Sequence, residues 1–365
     1  DMEKRISGTT TLLALIGSPV EHSGSPAMHN YSFEKLGLDY AYMAFEIKED
    51  QVGEFLDAAR LLKIRGFNVT MPCKMEVARQ VDELSPAAQI MGASNTVVNE
   101  NGKLIGHNTD GVGFVKNLEE HGVSVKDKTI TLMGGGGAGT AIFVQLALDG
   151  ASRIRVFNRK GANFEKLEKI AEKILEFAPK CKIQICDLAD EKALYDSIGE
   201  SDILVNATSV GMKPNEEGTM IQDTSVYRED LVVAEIIYNP KETRMMREAK
   251  EAGVKCVVGG KGMLLWQGAE AFHLFTGQEM PVEEVKAKLD ETEGLTVVLQ
   301  GGYQYKTSSD TPLKFKKSVN FITGLSLEGN AIIVQSGAMQ SESGANIAKL
   351  SFTDIDFISD KANEL

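Results

Sequence analysis

At 365 residues the chain is too long for one ordinary domain, and two or three are expected. Its 42% hydrophobic and 25% charged residues are ordinary for a soluble globular protein. A formal net charge of −13 argues against nucleic acid or an anionic membrane as the main partner, and leaves room for a local basic pocket. The four cysteines (Cys73, Cys181, Cys186 and Cys256) show neither a disulfide framework nor a paired metal spacing. They fit free thiols in a reducing cytoplasm. The five histidines are scattered without ligand spacing, so no structural metal is expected. No run of about 20 apolar residues occurs, and the first residues carry no signal-peptide pattern.

Residues 11–17, TLLALIG, read as a strand. Ser25 and Pro26 open a helix, Ser25 as its cap and Pro26 at its first position, and Gly37 ends it. Strands are expected at 40–47 and 66–70, and helices at 54–64 and 76–84. Residues 95–99 and 103–107, with Gly102 between them, read as a short hairpin. This β-α-β-α-β order implies a small, mostly parallel sheet covered by helices. It is complete before residue 110, which makes 1–110 a domain of its own.

Residues 110–121 read as a linking helix into a second domain spanning 111–259. Near its start stands KTITLMGGGGAGTA, beginning at Lys128. Residues 129–133 suit a strand buried on both faces. Gly134, Gly136 and Gly139 then match G-x-G-x-x-G, and an apolar helical run opens at Thr140. In that setting the first glycine permits a tight turn, the second lets backbone approach a pyrophosphate, and the third lets helix pack on strand. The backbone from Gly134 through Gly136, Gly137, Ala138 and Gly139 is therefore the expected phosphate cradle, at the positive end of a helix dipole. The alternative is a plain glycine-rich βα turn.

The next strand, 153–157, ends in Asn158-Arg159-Lys160. Folds that prefer NAD place an acidic residue about here, to hold the ribose hydroxyls. Two cations favour the extra phosphate of NADP instead, with a solvated basic turn as the alternative. Further βα units follow, with strands at 182–186, 203–207, 231–237 and 255–258 and helices at 163–178, 192–197 and 243–252. Together they imply an open, Rossmann-type parallel sheet. Helices at 262–276 and 282–289, within 260–291, are expected to close back across the cleft. Beyond 292 the texture changes to short β-like runs at 295–299, 303–305, 313–315, 319–323, 331–334 and 352–358, punctuated by glycine, proline and asparagine. Residues 292–365 are thus a β-rich extension of unknown fold, with no motif that carries chemistry.

Polar clusters follow the strands of the first domain: Ser23-Gly24-Ser25-Pro26, NVTMPCK from Asn68, Asn95-Thr96-Val97 and Asn108-Thr109-Asp110-Gly111. Strand carboxyl ends are where open α/β sheets bind ligands. The hydroxyls, amides, ammonium and carboxylate suit a polyhydroxy carboxylate. Lys74 lies on the loop into a helix, where a cleft-facing lysine can transfer protons near neutral pH. Asp110 can orient that ammonium. The bland alternatives are a solvated helix-start lysine and an N-cap aspartate. Cys73 reads as a half-buried small residue, and His22 and His107 as structural. Asn206-Ala207-Thr208-Ser209 reads either as a nicotinamide-side contact or as a capping turn. Gln267 interrupts an apolar stripe and is placed to face the cleft.

The matched stretches resemble one family. HSGSPAMHN from His22, NVTMPCK, GASNTVVN from Gly92, HNTDGVGF from His107, GGGGAGTA, FNRK, NATSVGM, YNP and GMLLWQGAEAF run in order over about residues 5–290. This order resembles the shikimate dehydrogenases, most closely their quinate/shikimate branch. The resemblance implies reversible NAD(P)-dependent interconversion of shikimate and 3-dehydroshikimate, with Lys74 and Asp110 as the catalytic pair. It also implies that Ser23, Ser25, Tyr42, Thr70, Asn95, Tyr238 and Gln267 bind substrate. Asn158, Arg159, Lys160, Thr208, Ser209 and Gly260 would join the glycine loop around the cofactor, NADP with NAD as the alternative. Gly161 stands where the branch using NAD and quinate carries an acidic residue, which weighs against NAD and leaves quinate activity open. Gly139 stands where the family often has serine. The rival readings are a methylene-tetrahydrofolate dehydrogenase, a dual quinate/shikimate enzyme, and an NADP-binding sensor without turnover. A monomer or a homodimer is expected.

Overall fold

The computed structural model describes residues 5–292 and, beyond them, six short strands. By contacts the chain divides into two compact units, residues 1–282 and 283–365.

The first unit holds two six-stranded sheets. The first sheet begins with β1 (Thr11–Gly17), α1 (Ser25–Leu36) and β2 (Tyr40–Glu46), followed by α2 (Val52–Leu61), β3 (Gly66–Val69) and α3 (Lys74–Gln80). It continues with β4 (Glu83–Leu84), α4 (Pro86–Met91), β5 (Thr96–Glu100) and β6 (Lys103–His107). Its strand order is β2-β1-β3-β5-β6-β4. The pairs β1/β2, β1/β3 and β4/β6 are parallel. The expected hairpin, β5/β6, is antiparallel and also reverses direction against β3. The buried faces of Phe67, Val69, Val77, Val97 and Leu104 meet α2 through Phe55, Leu56 and Ala59.

Two local features differ from the sequence reading. A single helix is expected over 76–84, but α3 stops at Gln80 and Val81 is extended. The next residue explains the break. The Asp82 carboxylate accepts the Leu104 N–H at 2.7 Å and an Arg60 guanidinium N–H at 3.3 Å, and Glu83–Leu84 then pairs with β6. These tertiary partners outweigh the helical propensity of the segment. Helix α4 has no counterpart in the sequence reading. It is short but well signalled, with Ser85 at its N-cap, Pro86 in its first turn and Gly92 left-handed at its end.

Helix α5 (Asp110–Glu120) leads to the second sheet. Here β7 (Thr129–Met133), α6 (Gly137–Leu148), β8 (Arg153–Asn158), α7 (Ala162–Phe177) and β9 (Lys182–Asp187) run outward in one direction. The chain returns through α8 (Glu191–Glu200) to β10 (Ile203–Asn206), β11 (Val232–Glu235), α9 (Arg244–Glu251) and β12 (Cys256–Val258) on the other side. All pairs are parallel, in the order β12-β11-β10-β7-β8-β9. This is the Rossmann-type doubly wound sheet, with its switch point between β7 and β10. Its centre is dry: Ile130, Leu132, Ile142, Phe143, Ile154, Val156 and Val205 are fully buried.

Helix α10 (Lys261–Thr276) crosses back over α5. Lys116 pairs with Glu270 at 2.6 Å, and Trp266 Nε1 donates to Glu120 at 2.8 Å. The same helix packs Phe272 and Phe275 against the His29 ring of α1. Residues of α10 therefore reach the first sheet. Among the described residues no helix is long and apolar enough to cross a membrane.

The second unit follows the start of α11 (Val282–Thr292). Its strands are β13 (Leu295–Leu299), β14 (Tyr303–Thr307), β15 (Leu313–Phe315), β16 (Leu325–Glu328), β17 (Ala331–Val334) and β18 (Ile355–Phe357). They form a four-stranded sheet, β14-β13-β17-β16, and an antiparallel pair, β15/β18. Strand β16 was not expected from the sequence. The expected run at 319–323 lies outside the described residues.

Candidate active site

The carboxyl ends of β1 and β3, the starts of α3 and α5, and one face of α10 enclose a cavity of about 380 Å³. Ser23, Ser25, Thr70, Lys74, Asn95, Asp110 and Gln267 all line it, with His22, Asn68 and Leu264 beside them. Residues more than two hundred positions apart thus meet around one space, and most of them are polar.

Lys74 is the first residue of α3 and Asp110 the first of α5. Lys74 Nζ donates to Asp110 Oδ2 at 3.2 Å, with the two side chains 33% and 25% exposed. The pair therefore faces the cavity rather than bulk water. Asp110 does not cap its helix: Thr109 holds that position and no side-chain cap is made. Its second oxygen, Oδ1, accepts from Asn95 Nδ2 at 3.1 Å.

Asn95 is fixed on every side. Its Oδ1 accepts the Thr109 N–H at 2.8 Å and the Thr96 hydroxyl at 3.0 Å. Its Nδ2 donates to Thr109 Oγ1 at 2.9 Å as well as to Asp110. An amide has two donors and one two-lone-pair acceptor, so all its capacity is in use within the protein. Behind it, Thr96 Oγ1 accepts from Asn68 Nδ2 at 2.9 Å, and Asn68 Oδ1 accepts the Tyr42 hydroxyl at 2.9 Å. A continuous chain of side-chain hydrogen bonds thus runs from Tyr42 to Lys74. Thr96 and Asn68 are its links that sequence reasoning did not single out. Both sit in runs noticed for their neighbours, and only the pairing of β3 with β5 brings them together.

Two expected contacts are placed elsewhere. Tyr42 is 2% exposed and stands beneath Asn68 rather than on the cavity wall, because β2 turns it inward to stack on His29 at 4.5 Å. Tyr238, 55% exposed, follows β11 in the second sheet and does not line this cavity. Cys73 is buried and its Sγ lies against the Ile47 carbonyl.

At the switch point of the second sheet, Gly134 has φ +103, and a Cβ there would stand 2.7 Å from the Ala207 carbonyl oxygen. A Cβ on Gly139 would strike the Gly134 carbonyl. Only glycine meets both demands, one conformational and one of close approach. Gly136 and Gly137 have open space where a Cβ would be, and α6 begins there with no side-chain cap. With Ala138 beside them, the uncapped N–H groups of the first turn face outward, which fits a pyrophosphate. Asn158 ties the loop down by accepting the Gly135 N–H at 3.0 Å. Beyond it Arg159 is exposed and has no side-chain partner among the described residues, while Lys160 lies 3.9 Å over the Phe164 ring. Thr208 bonds to Asn206 and lies against Gly134; Ser209 beside it is exposed. Gly260 is buried at the start of α10.

Known proteins share the fold and much of the sequence. The family model of the shikimate dehydrogenase substrate binding domain matches residues 15–97. That of the shikimate 5'-dehydrogenase C-terminal domain matches residues 260–289. The shikimate dehydrogenase (NADP(+)) of Streptococcus uberis is 52% identical over 287 residues, which is 78% of this chain and 97% of that protein. The structure of shikimate 5-dehydrogenase from Listeria monocytogenes, in complex with shikimate and NAD, superposes with a TM-score of 0.76 at 45% identity, covering 79% of this chain and 99% of that one. A shikimate dehydrogenase in complex with NADP+ gives 0.67 at 40% identity, covering 77% and 95%. Likeness of this degree over nearly the whole length of these proteins establishes the relationship, and the chain belongs to the shikimate dehydrogenase family.

Proposed function

We propose that the protein is a shikimate dehydrogenase, interconverting shikimate and 3-dehydroshikimate reversibly with NADP in the cytoplasm. The observation that carries the reading is the Lys74–Asp110 pair, 3.2 Å apart and facing a polar cavity that α10 shares. The relatives' names supply the substrate and the cofactor class. Free thiols and an acidic balance support the cytoplasmic setting.

The catalytic and binding roles follow from the chemistry of the groups. Ser23, Ser25, Thr70 and Gln267 offer hydroxyls and an amide to the ring hydroxyls and carboxylate of the substrate. Asn95 contributes chiefly by holding Asp110, since its own amide is already fully bonded. Asp110 holds the Lys74 ammonium in place. In the reductive direction Lys74 delivers a proton to the ketone oxygen, and in the oxidative direction it takes that proton from the hydroxyl. When bound, NADP supplies or accepts the hydride at the same carbon. The glycine loop and the first turn of α6 fit its pyrophosphate, and Arg159 is the cation free to meet a 2′-phosphate. Much of the remaining acceleration comes from holding the two reactants together across the cleft.

Initial rates with shikimate and with quinate, each paired with NADP+ and with NAD+, test the reading. The expected result is the highest kcat/KM for shikimate with NADP+. Turnover of neither alcohol with either cofactor would refute it, and a preference for quinate would move the protein to the other branch.

A further inference from the structure

The buried acid of the second lobe lies outside the chemistry described so far. Glu235 ends β11 and is 1% exposed, with no ion-pair partner among the described residues. Its carboxylate is instead surrounded by neutral donors. Oε1 accepts the N–H groups of Ile236 and Ile237 at 3.0 and 3.2 Å, and Asn206 Nδ2 at 3.0 Å. Oε2 accepts Asn206 Nδ2 at 3.1 Å and the Thr243 hydroxyl at 2.9 Å. Burial raises its pKa, and the same donors oppose that rise. A buried acid is costly unless its oxygens are satisfied, and here they are satisfied by three separate segments.

Two of these segments lead to the glycine loop and to the start of α10, and the third caps a neighbouring helix. Asn206 passes the contact on, since its Oδ1 accepts both the N–H and the hydroxyl of Thr208, at 3.0 and 2.6 Å. Between them the Ala207 carbonyl lies under Gly134 of the phosphate loop. Ile236 and Ile237 lie under Gly260, where a Cβ would stand 2.5 Å from the Ile237 carbonyl oxygen. Gly260 caps α10, the helix that carries Leu264 and Gln267 to the cavity. Thr243 caps α9 by accepting the Met246 N–H. One carboxylate therefore fastens the exit of β10 to the exit of β11.

In a doubly wound sheet the two halves of a dinucleotide lie on either side of the switch point. Arg159 at the end of β8 marks the adenosine half, so the β10–β11 side is left for the nicotinamide half. We propose that Glu235 is a positioning residue for the nicotinamide half of the cofactor, holding the Asn206–Thr208 turn and the Ile236–Ile237 exit as one surface. The inference rests on the dehydrogenase reading above.

The test compares ligands that do and do not reach that surface. Calorimetric affinities for NADP+, for adenosine 2′,5′-bisphosphate and for shikimate are measured on the full chain and on Glu235→Gln. Glutamine replaces one acceptor oxygen by a donor facing donors. NADP+ is expected to bind about tenfold more weakly and kcat to fall, while the bisphosphate and shikimate bind within about twofold of wild type. Asn206→Ser, which cuts the link to Thr208 and leaves the carboxylate its backbone donors, is expected to give the same selective loss at about fivefold. It decides the matter if Glu235→Gln does not fold. Unchanged NADP+ affinity, or an equal loss for the bisphosphate, would overturn the proposal. A wild-type chain that binds shikimate but neither nucleotide would overturn the dehydrogenase reading with it.

Discussion

The two sheets build the ends of their strands from different materials. On the first, the cavity is lined by polar side chains, Asn68, Asn95, Asp110 and Lys74 among them, joined in a hydrogen-bonded chain through buried Thr96 and anchored on buried Tyr42. On the second, the material is backbone: Gly134 and Gly139 serve internal packing, while Gly136 and Gly137 have open space where a Cβ would stand. In the side-chain wall each member orients the next. The backbone wall offers N–H groups and leaves its one free cation, among the residues flanking the loop, unpaired at Arg159. A side-chain wall can discriminate one small molecule by its hydroxyl pattern. A backbone wall suits phosphates, whose charge is the same in every dinucleotide.

The comparison is broken most severely by removing the ammonium. Lys74→Ala is expected to lower kcat for shikimate oxidation by about 10²–10⁴-fold, while NADP+ still binds with near wild-type affinity by fluorescence titration. Turnover near wild type in that variant would remove the proposed role. On the other wall, Arg159→Ala is expected to weaken NADP+ by about tenfold or more, the worth of a charge-assisted hydrogen bond, and to leave NAD+ nearly unchanged. Equal losses for both cofactors would show that Arg159 does not read the 2′-phosphate.

A smaller effect concerns the support of the side-chain wall. His29 is fully buried, stacked on Tyr42, and burial pushes its pKa down to about 3 from an ordinary value of 6.5. Between those values the unfolded chain binds a proton there and the folded chain does not. Stability from this group is therefore complete above pH 6.5 and is lost as pH falls toward 3, by up to about 1.4 kcal/mol per pH unit. His29→Phe keeps the ring packing and removes the titration. Urea melts at pH 7 and pH 5 should show the variant losing about 2 kcal/mol less than wild type between the two; the same loss in both would contradict this account of His29.

Much of this plan is legible in the sequence because its physics is local. Residues 129–140 announce a strand, a turn that needs glycine and a helix. Ser25, Thr70, Lys74 and Asp110 each follow a strand or open a helix, which points them to one end of the sheet. What was not legible depends on distant partners. The break after Gln80 is made by Leu104 and Arg60 acting on Asp82. Tyr42, which the family resemblance implies at the substrate, is buried and stacked on His29 of α1. Glu235 is not singled out by the sequence reading, which places it inside the expected strand 231–237, and only the folded chain brings Asn206 and Thr243 to it. In the tail, backbone alternation marks strands but no residue there suggests a chemistry.

The most direct test of the central claim is a crystal structure of the full chain with shikimate and NADP+ bound together. The account predicts Lys74 Nζ within about 3 Å of the hydroxyl oxygen that is oxidised, the reach of a hydrogen bond, with Asp110 still holding the ammonium. A hydroxyl that meets another group, with Lys74 more than about 5 Å away and no water between them, would contradict it.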